Sequence, residues 1–186
     1  MKRAAELSPT QAATRTRMID AAVALATERG YDGFTMRDVA GHADISPATA
    51  YIYYGSKDAV LVDALIERGV QSSEAVGRRG GTPRARVIGG FGKVVDAYER
   101  APLLYRAMFR AYVGQAANDV SQAESSWSGR SWLDRAIPDD TPDRAVLVEM
   151  LQAEVLAAMI ALVTGTRPRV VVERFQRAVD HRLGRG

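Results

Sequence analysis

Thr35-Met-Arg-Asp-Val-Ala-Gly-His-Ala-Asp-Ile-Ser-Pro-Ala-Thr-Ala-Tyr-Ile-Tyr-Tyr-Gly-Ser-Lys57 is the stretch whose reading decides the fold. Thr35 stands where a helix N-cap belongs, its hydroxyl able to accept from a free amide of the first turn. Asp38, three residues on, places a carboxylate at the positive end of that helix; it is expected to be a weaker partner than the Glu or Gln of a full capping box. Met36, Val39, Ala40 and Ala43 then share one helical face. The helix is expected to end near Ala43, with Asp44 in the left-handed conformation that Asp tolerates better than most residues. Ser46 reads as a second N-cap and Pro47 as a first helical residue, where a missing amide proton costs nothing. In the short helix that follows, Ile45, Ala50 and Tyr54 point inward, and Pro47, Ala48, Tyr51 and Ile52 point outward. Gly55 is expected to stop it and Ser56 to cap the next helix.

Two short helices joined by such a turn make a helix-turn-helix. The outward face of the second is short, nearly uncharged and built of small residues plus an aromatic. A helix of this kind fits the DNA major groove, where apolar groups touch thymine methyls and hydroxyls reach phosphates or base edges. The same pattern also serves as a plain packing motif without nucleic acid. The residues alone leave both readings open.

A resemblance separates them. Residues 14 to 65 resemble the DNA-binding domain of the TetR family of bacterial transcriptional regulators. The likeness is carried by Arg17-Met18-Ile19-Asp20-Ala21-Ala22, by Glu28 to Ala40, by Asp44-Ile45-Ser46-Pro47-Ala48-Thr49-Ala50-Tyr51-Ile52-Tyr53-Tyr54, and by Ser56-Lys57-Asp58-Ala59-Val60-Leu61. The chain departs from the family pattern at Asp44, usually Gly, at Ala50, usually Leu, and at Tyr54, usually Phe. Ala50 is thus a smaller inward anchor.

The resemblance implies an all-α fold of about nine helices: an N-terminal three-helix helix-turn-helix DNA-binding domain, then a helical-bundle ligand-binding and dimerisation domain. Residues 1–9 are expected to be a mobile arm, 10–58 the DNA-binding domain and 59–186 the ligand-binding and dimerisation domain. Carried over from matching family positions, Thr35, Thr49, Tyr53 and Lys57 fix register on phosphates. Arg37, Pro47, Ala48 and Tyr51 meet base edges with Ile52 close by, behind the Ser46 cap. The implied function is a ligand-responsive regulator, a repressor, that binds a palindromic double-stranded operator as a homodimer and is released by a small apolar effector.

Composition bounds the alternatives. The 186 residues suffice for one good core or a small domain with a larger one. There is no cysteine, hence no thiol chemistry, and His42 and His181 are the only histidines, so a metal site built on imidazoles is not expected. Neither a signal peptide nor a membrane span is expected, since the apolar run Val155 to Val163 is too short to cross a bilayer. The protein is expected in the cytoplasm, with no membrane partner and no cofactor. The net charge is +3, yet residues 1–60 balance seven basic against seven acidic side chains. A positive face must therefore come from folding, with Arg37 and Lys57 brought to one side.

Along the chain, Ser8-Pro9-Thr10-Gln11 has capping-box spacing and opens a helix to about Arg29, closed by Gly30. A connecting helix runs from Lys57 to about Ala75. Further helices are expected over 83–100, 102–118, 120–136, 142–164 and 168–183, with Pro102, Pro142 and Pro168 at their starts. Arg78, Arg79, Arg84 and Arg86 form a basic cluster, read as a solvated loop or as a contact for an anionic ligand. Gly89-Gly90-Phe91-Gly92-Lys93 fails as a phosphate loop, because Val94 stands where Ser or Thr must bind magnesium. With no nucleophile elbow or zinc-protease helix, the chain is not expected to be an enzyme.

The stretch after Glu154 is apolar almost all round, and a helix without a polar face must be buried on every side. Val155, Met159, Leu162, Val171 and Phe175 are therefore candidate dimer contacts in a four-helix interface, the alternative being an internal core helix of a monomer. Phe91, Leu104, Met108, Phe109, Tyr112, Trp127, Trp132 and Met150 are candidates to line an apolar ligand pocket. The run Ala101 to Val113 is similar to the actinobacterial cholesterol-catabolism repressors within the family, which implies a steroid-like or acyl coenzyme A type of effector. The alternative reading is a helical small-molecule-binding or protein-interaction module without DNA binding, to which the balanced head charge lends support.

Overall fold

A computed structural model describes residues 8–74, 81–116 and 129–184. Most of the expected N-terminal arm, together with Arg78, Arg79 and Trp127, lies outside the described residues. Among those described there are nine helices and no strand. In chain order they are α1 (Pro9–Arg29), α2 (Met36–His42), α3 (Pro47–Tyr53), α4 (Lys57–Glu74), α5 (Pro83–Arg100), α6 (Pro102–Ala116), α7 (Gly129–Ala136), α8 (Arg144–Val163) and α9 (Pro168–Leu183).

The described residues divide into two compact units, one within Met1–Leu65 and Ala101–Ser125, the other within Ile66–Arg100 and Ser126–Gly186. The division falls inside α4 and between α5 and α6. The first unit packs α1, α2, α3, the start of α4 and α6 around Met18, Ala22, Leu25, Phe34, Val39, Leu61, Leu104 and Met108. Arg110 on α6 pairs with Asp32 at 2.7 Å, and its guanidinium lies 4.1 Å from the centre of the Tyr31 ring.

Local chemistry opens the elements. Ser8 and Gln11 exchange side-chain bonds with each other's backbone N–H at 3.3 and 3.0 Å, and Pro9 occupies the first helical position. Gly30, at φ 68°, closes α1 with a bond from its N–H to the Ala26 carbonyl. A Cβ at Gly33 would stand 2.5 Å from the Arg29 carbonyl oxygen, so the chain can double back there only with glycine. Pro142 does not begin α8. Turn bonds carry the chain from Pro138 to Asp143, which takes φ 51°, and the helix starts at Arg144.

The second unit packs α5, α7, α8 and α9. Phe91 of α5 stacks on Phe175 of α9 with ring centres 4.0 Å apart. The Trp132 ring lies so close to Gly90 that a Cβ there would meet it at 2.6 Å. Arg86 donates to the Ala136 carbonyl at 2.9 Å, and Arg144 to those of Asp134 and Ile137 at 2.7 and 3.3 Å, so both serve carbonyls at the C-terminal end of α7. Arg84 pairs with Asp180 at 2.6 Å, so Arg84 and Arg86 brace helices rather than form a solvated basic cluster.

The five expected dimer contacts belong to the core of the second unit. Val155, Met159, Leu162, Val171 and Phe175 are all buried within the single chain, and Val171 and Phe175 also line a groove with Ala157, Ala158 and Ala161. What α8 leaves in solvent is a different stripe: Val146, Met150, Ala153, Ala157 and Ile160, spaced four, three, four and three residues apart. By length and composition α8 could cross a membrane, a test that a core helix also passes, and only a third of its apolar window is buried.

Candidate nucleic-acid interface

Thr35 and Asp38 form a complete reciprocal box at the start of α2. The Asp38 N–H donates to the Thr35 hydroxyl oxygen at 3.3 Å, and the Thr35 N–H and hydroxyl both donate to Asp38 Oδ2 at 2.7 Å. Asp is therefore long enough to close the box here. The Thr35 hydroxyl, then the Thr35 N–H, hold the Asp38 carboxyl below the usual carboxylate range.

The turn between α2 and α3 closes with two backbone bonds. Ile45 N–H donates to the Ala40 carbonyl at 3.0 Å and Asp44 N–H to that of Gly41 at 3.3 Å, with Asp44 at φ 53°. This is the Schellman pattern with Asp in the position glycine usually fills. Ser46 caps α3 by accepting from Thr49 N–H at 3.1 Å, and the Ser46 and Thr49 hydroxyls lie 2.8 Å apart. The helix ends at Tyr53 because Tyr54 is extended at φ −138°, not because Gly55 turns left-handed.

Of α3's own residues only Ala50 is buried, and one methyl group contributes on the order of 0.8 kcal/mol. Ile45 is half-buried, while Pro47 and Ala48 are exposed. Tyr51 is 52 % exposed and Ile52 83 % exposed. Helical geometry puts these four outward residues within less than half a turn of one another. Thr35 and Arg37 are exposed, and Thr49 and Tyr53 half-buried.

Lys57, expected at a phosphate, is also held within the chain. Its ammonium donates to the carbonyls of Tyr31 at 2.7 Å and Phe34 at 3.1 Å, and lies 4.0 Å from the Tyr31 ring centre. An ammonium has three donors, so one remains for a phosphate. The Tyr31 hydroxyl donates to Asp58 at 2.6 Å. That bond, then burial, then the Asp58 charge push the Tyr31 phenol up to about 12. Tyr31, Asp58, Asp63 and Arg110 were not singled out by sequence. Asp63 alone carried a signal, as a charge inside Val60-Leu61-Val62-Asp63-Ala64-Leu65.

The expected pocket residues are spread over both units. Leu104, Met108, Phe109 and Tyr112 are buried in the first, and Phe91 and Trp132 in the second. Met150 is exposed on α8 and lines an open groove of about 420 Å³ with Val146, Leu147, Arg182 and Leu183. Among the described residues no cluster of acidic, histidine or cysteine side chains could hold a metal ion.

A sequence profile described as "Bacterial regulatory proteins, tetR family" matches residues 18–64. The chain is 37% identical over 141 residues to the HTH-type transcriptional repressor KstR of Mycolicibacterium smegmatis, covering 73% of this chain and 68% of that one. Its fold matches a TetR transcriptional regulator from Rhodococcus sp. RHA1 at TM-score 0.79 and 24% identity, over 95% of this chain and 98% of that one. It also matches the Thermus thermophilus repressor FadR, solved in complex with lauroyl-CoA, at TM-score 0.66 and 21% identity, over 89% and 92% of the two chains.

Proposed function

The chain belongs to the tetR family of bacterial regulatory proteins, and from that premise we propose that it is a cytoplasmic, ligand-responsive repressor that binds a near-palindromic operator as a homodimer. The observation that carries this reading is the outer face of α3, where Tyr51 and Ile52 stand in solvent on a helix closed by its own caps. Apolar side chains held in water on a rigid short helix suit thymine methyls in a major groove. Arg37, Pro47, Ala48 and Tyr51 meet base edges with Ile52 beside them, and Thr35, Thr49, Tyr53 and the remaining donor of Lys57 position the head on phosphates. In this reading residues 10–58 are the head and 59–186 the ligand-binding and dimerisation part.

The stripe Val146, Met150, Ala153, Ala157 and Ile160 supports the homodimer, because its alternating spacing of four and three is that of a helix seam. Two subunits then present α3 to successive major grooves, roughly 34 Å apart. FadR was solved with lauroyl-CoA, and with the resemblance carried by the run Ala101 to Val113 this supports a small apolar effector, steroid-like or of the acyl coenzyme A type. An effector that fits only one spacing of the heads shifts the population away from DNA, with a coupling on the order of 1–3 kcal/mol.

Fluorescence anisotropy tests the reading. The probe is duplex DNA from the region upstream of the protein's own gene, titrated beside a scrambled duplex of equal length. Saturable binding that prefers the upstream duplex and weakens steeply with salt is expected. Equal, weak binding to both supports the alternative, a helical small-molecule-binding or interaction module, which the balanced charge of the head favours.

A further inference from the structure

Asp63 is the one charged residue buried among those described, 5 % exposed, and the reading above gives it no role. A carboxylate withdrawn from water persists only where donors satisfy it. Arg15 of α1 reaches Oδ2 with Nε at 3.1 Å and Nη2 at 2.8 Å. The Tyr54 hydroxyl donates to the same oxygen at 2.5 Å. Tyr54 is the residue that ends α3, so a single carboxylate oxygen ties together α1, the exit of α3, and α4.

We infer, on the premise that α3 reads DNA, that Asp63 is a positioning residue which sets the angle of α3 through the Tyr54 hydroxyl. The backbone bonds of the preceding turn fix where α3 begins. Its one fully buried side chain is the methyl of Ala50. The buried Tyr54 ring sets how deeply the exit sits, but a ring in an apolar slot can still slide along its long axis. A hydrogen bond from its tip to an oxygen acceptor seated on α4 removes that freedom. The tie supplies the fixation that a larger side chain at position 50 would otherwise give.

Two substitutions separate positioning from stability. Tyr54→Phe keeps the ring and removes only the bond. Asp63→Asn keeps an oxygen acceptor for Tyr54 and removes the charge that Arg15 pairs with. For Tyr54→Phe, affinity for the upstream duplex is expected to fall about tenfold, the scale of one such bond. Binding to the scrambled duplex stays unchanged, and the amides of α3 exchange hydrogen faster relative to those of α1. For Asp63→Asn, the melting temperature falls while the preference for the upstream duplex is retained. Unchanged exchange in α3 of Tyr54→Phe overturns the inference, whether or not DNA binds. So does an equal loss of affinity on both duplexes. If wild-type protein shows no preference while the exchange difference is present, the DNA-binding reading fails and the tie stands as a fixing contact for α3.

Discussion

The ammonium of Lys57, the first residue of α4, donates to the carbonyl oxygen of Tyr31 at 2.7 Å, across 26 positions of sequence. With its second bond to Phe34 it fastens the loop between α1 and α2 to the start of α4. Lys57→Met removes a charged donor from both carbonyls and is expected to lower stability by about 2 kcal/mol, measured by urea denaturation. The remaining donor is the one available to a phosphate, so the slope of log affinity against log salt is expected to flatten by about one unit.

Tyr31 extends that junction, and its raised phenol gives it a pH signature. The folded chain keeps the proton on Tyr31 because Asp58 accepts a hydrogen bond from the hydroxyl. The stability this bond contributes is complete below pH about 10, the ordinary tyrosine value. It is lost as pH rises through about 12. Melting curves of wild type and Tyr31→Phe should differ by a constant amount up to the lower value and converge above it. A gap that persists unchanged to the upper value rules out Asp58 as the cause.

Tyr51→Ala is expected to abolish preference for the upstream duplex with a stability change within about 0.5 kcal/mol, because the side chain stands half in water. Anisotropy and thermal melting read the two effects separately. Unchanged affinity removes α3 from the interface.

Ala157→Glu places a carboxylate in the middle of the exposed stripe of α8. It is expected to yield a monomer by light scattering with helical content intact. Val155→Asp, by contrast, puts a charge in the protomer core and is expected to unfold the chain. A dimer that survives Ala157→Glu excludes this stripe as the contact.

Gly90→Ala tests the packing of α5 on α7. The added Cβ would stand 2.6 Å from the Trp132 ring, and relief by displacement is expected to cost about 1–3 kcal/mol. A blue-shifted or red-shifted tryptophan emission should accompany the lowered melting temperature.

Local chemistry was legible without coordinates. Ser8 with Pro9, Thr35 with Asp38, and Ser46 with Pro47 start their helices through bonds spanning three residues, so sequence spacing alone reveals them. Asp44 in the left-handed region is of the same kind, since its conformation is set by its own side chain and its immediate neighbours. The outward set Pro47, Ala48, Tyr51 and Ile52 followed once the helix had a start. Pro142 misled because turns bonded within 138–144 competed with helix initiation there.

Only the tertiary structure decided which apolar residues of α8 are core. A helix that is apolar nearly all round gives its hydrophobic pattern no phase, so Val155 and Met159 could not be told from Val146 and Met150 until α9 and α7 were in place. It also decided which charges meet. Arg15 meets Asp63 across 48 positions, and Arg110 meets Asp32 across 78. No spacing rule reaches that far, because such pairs are set by where separate helices come to rest.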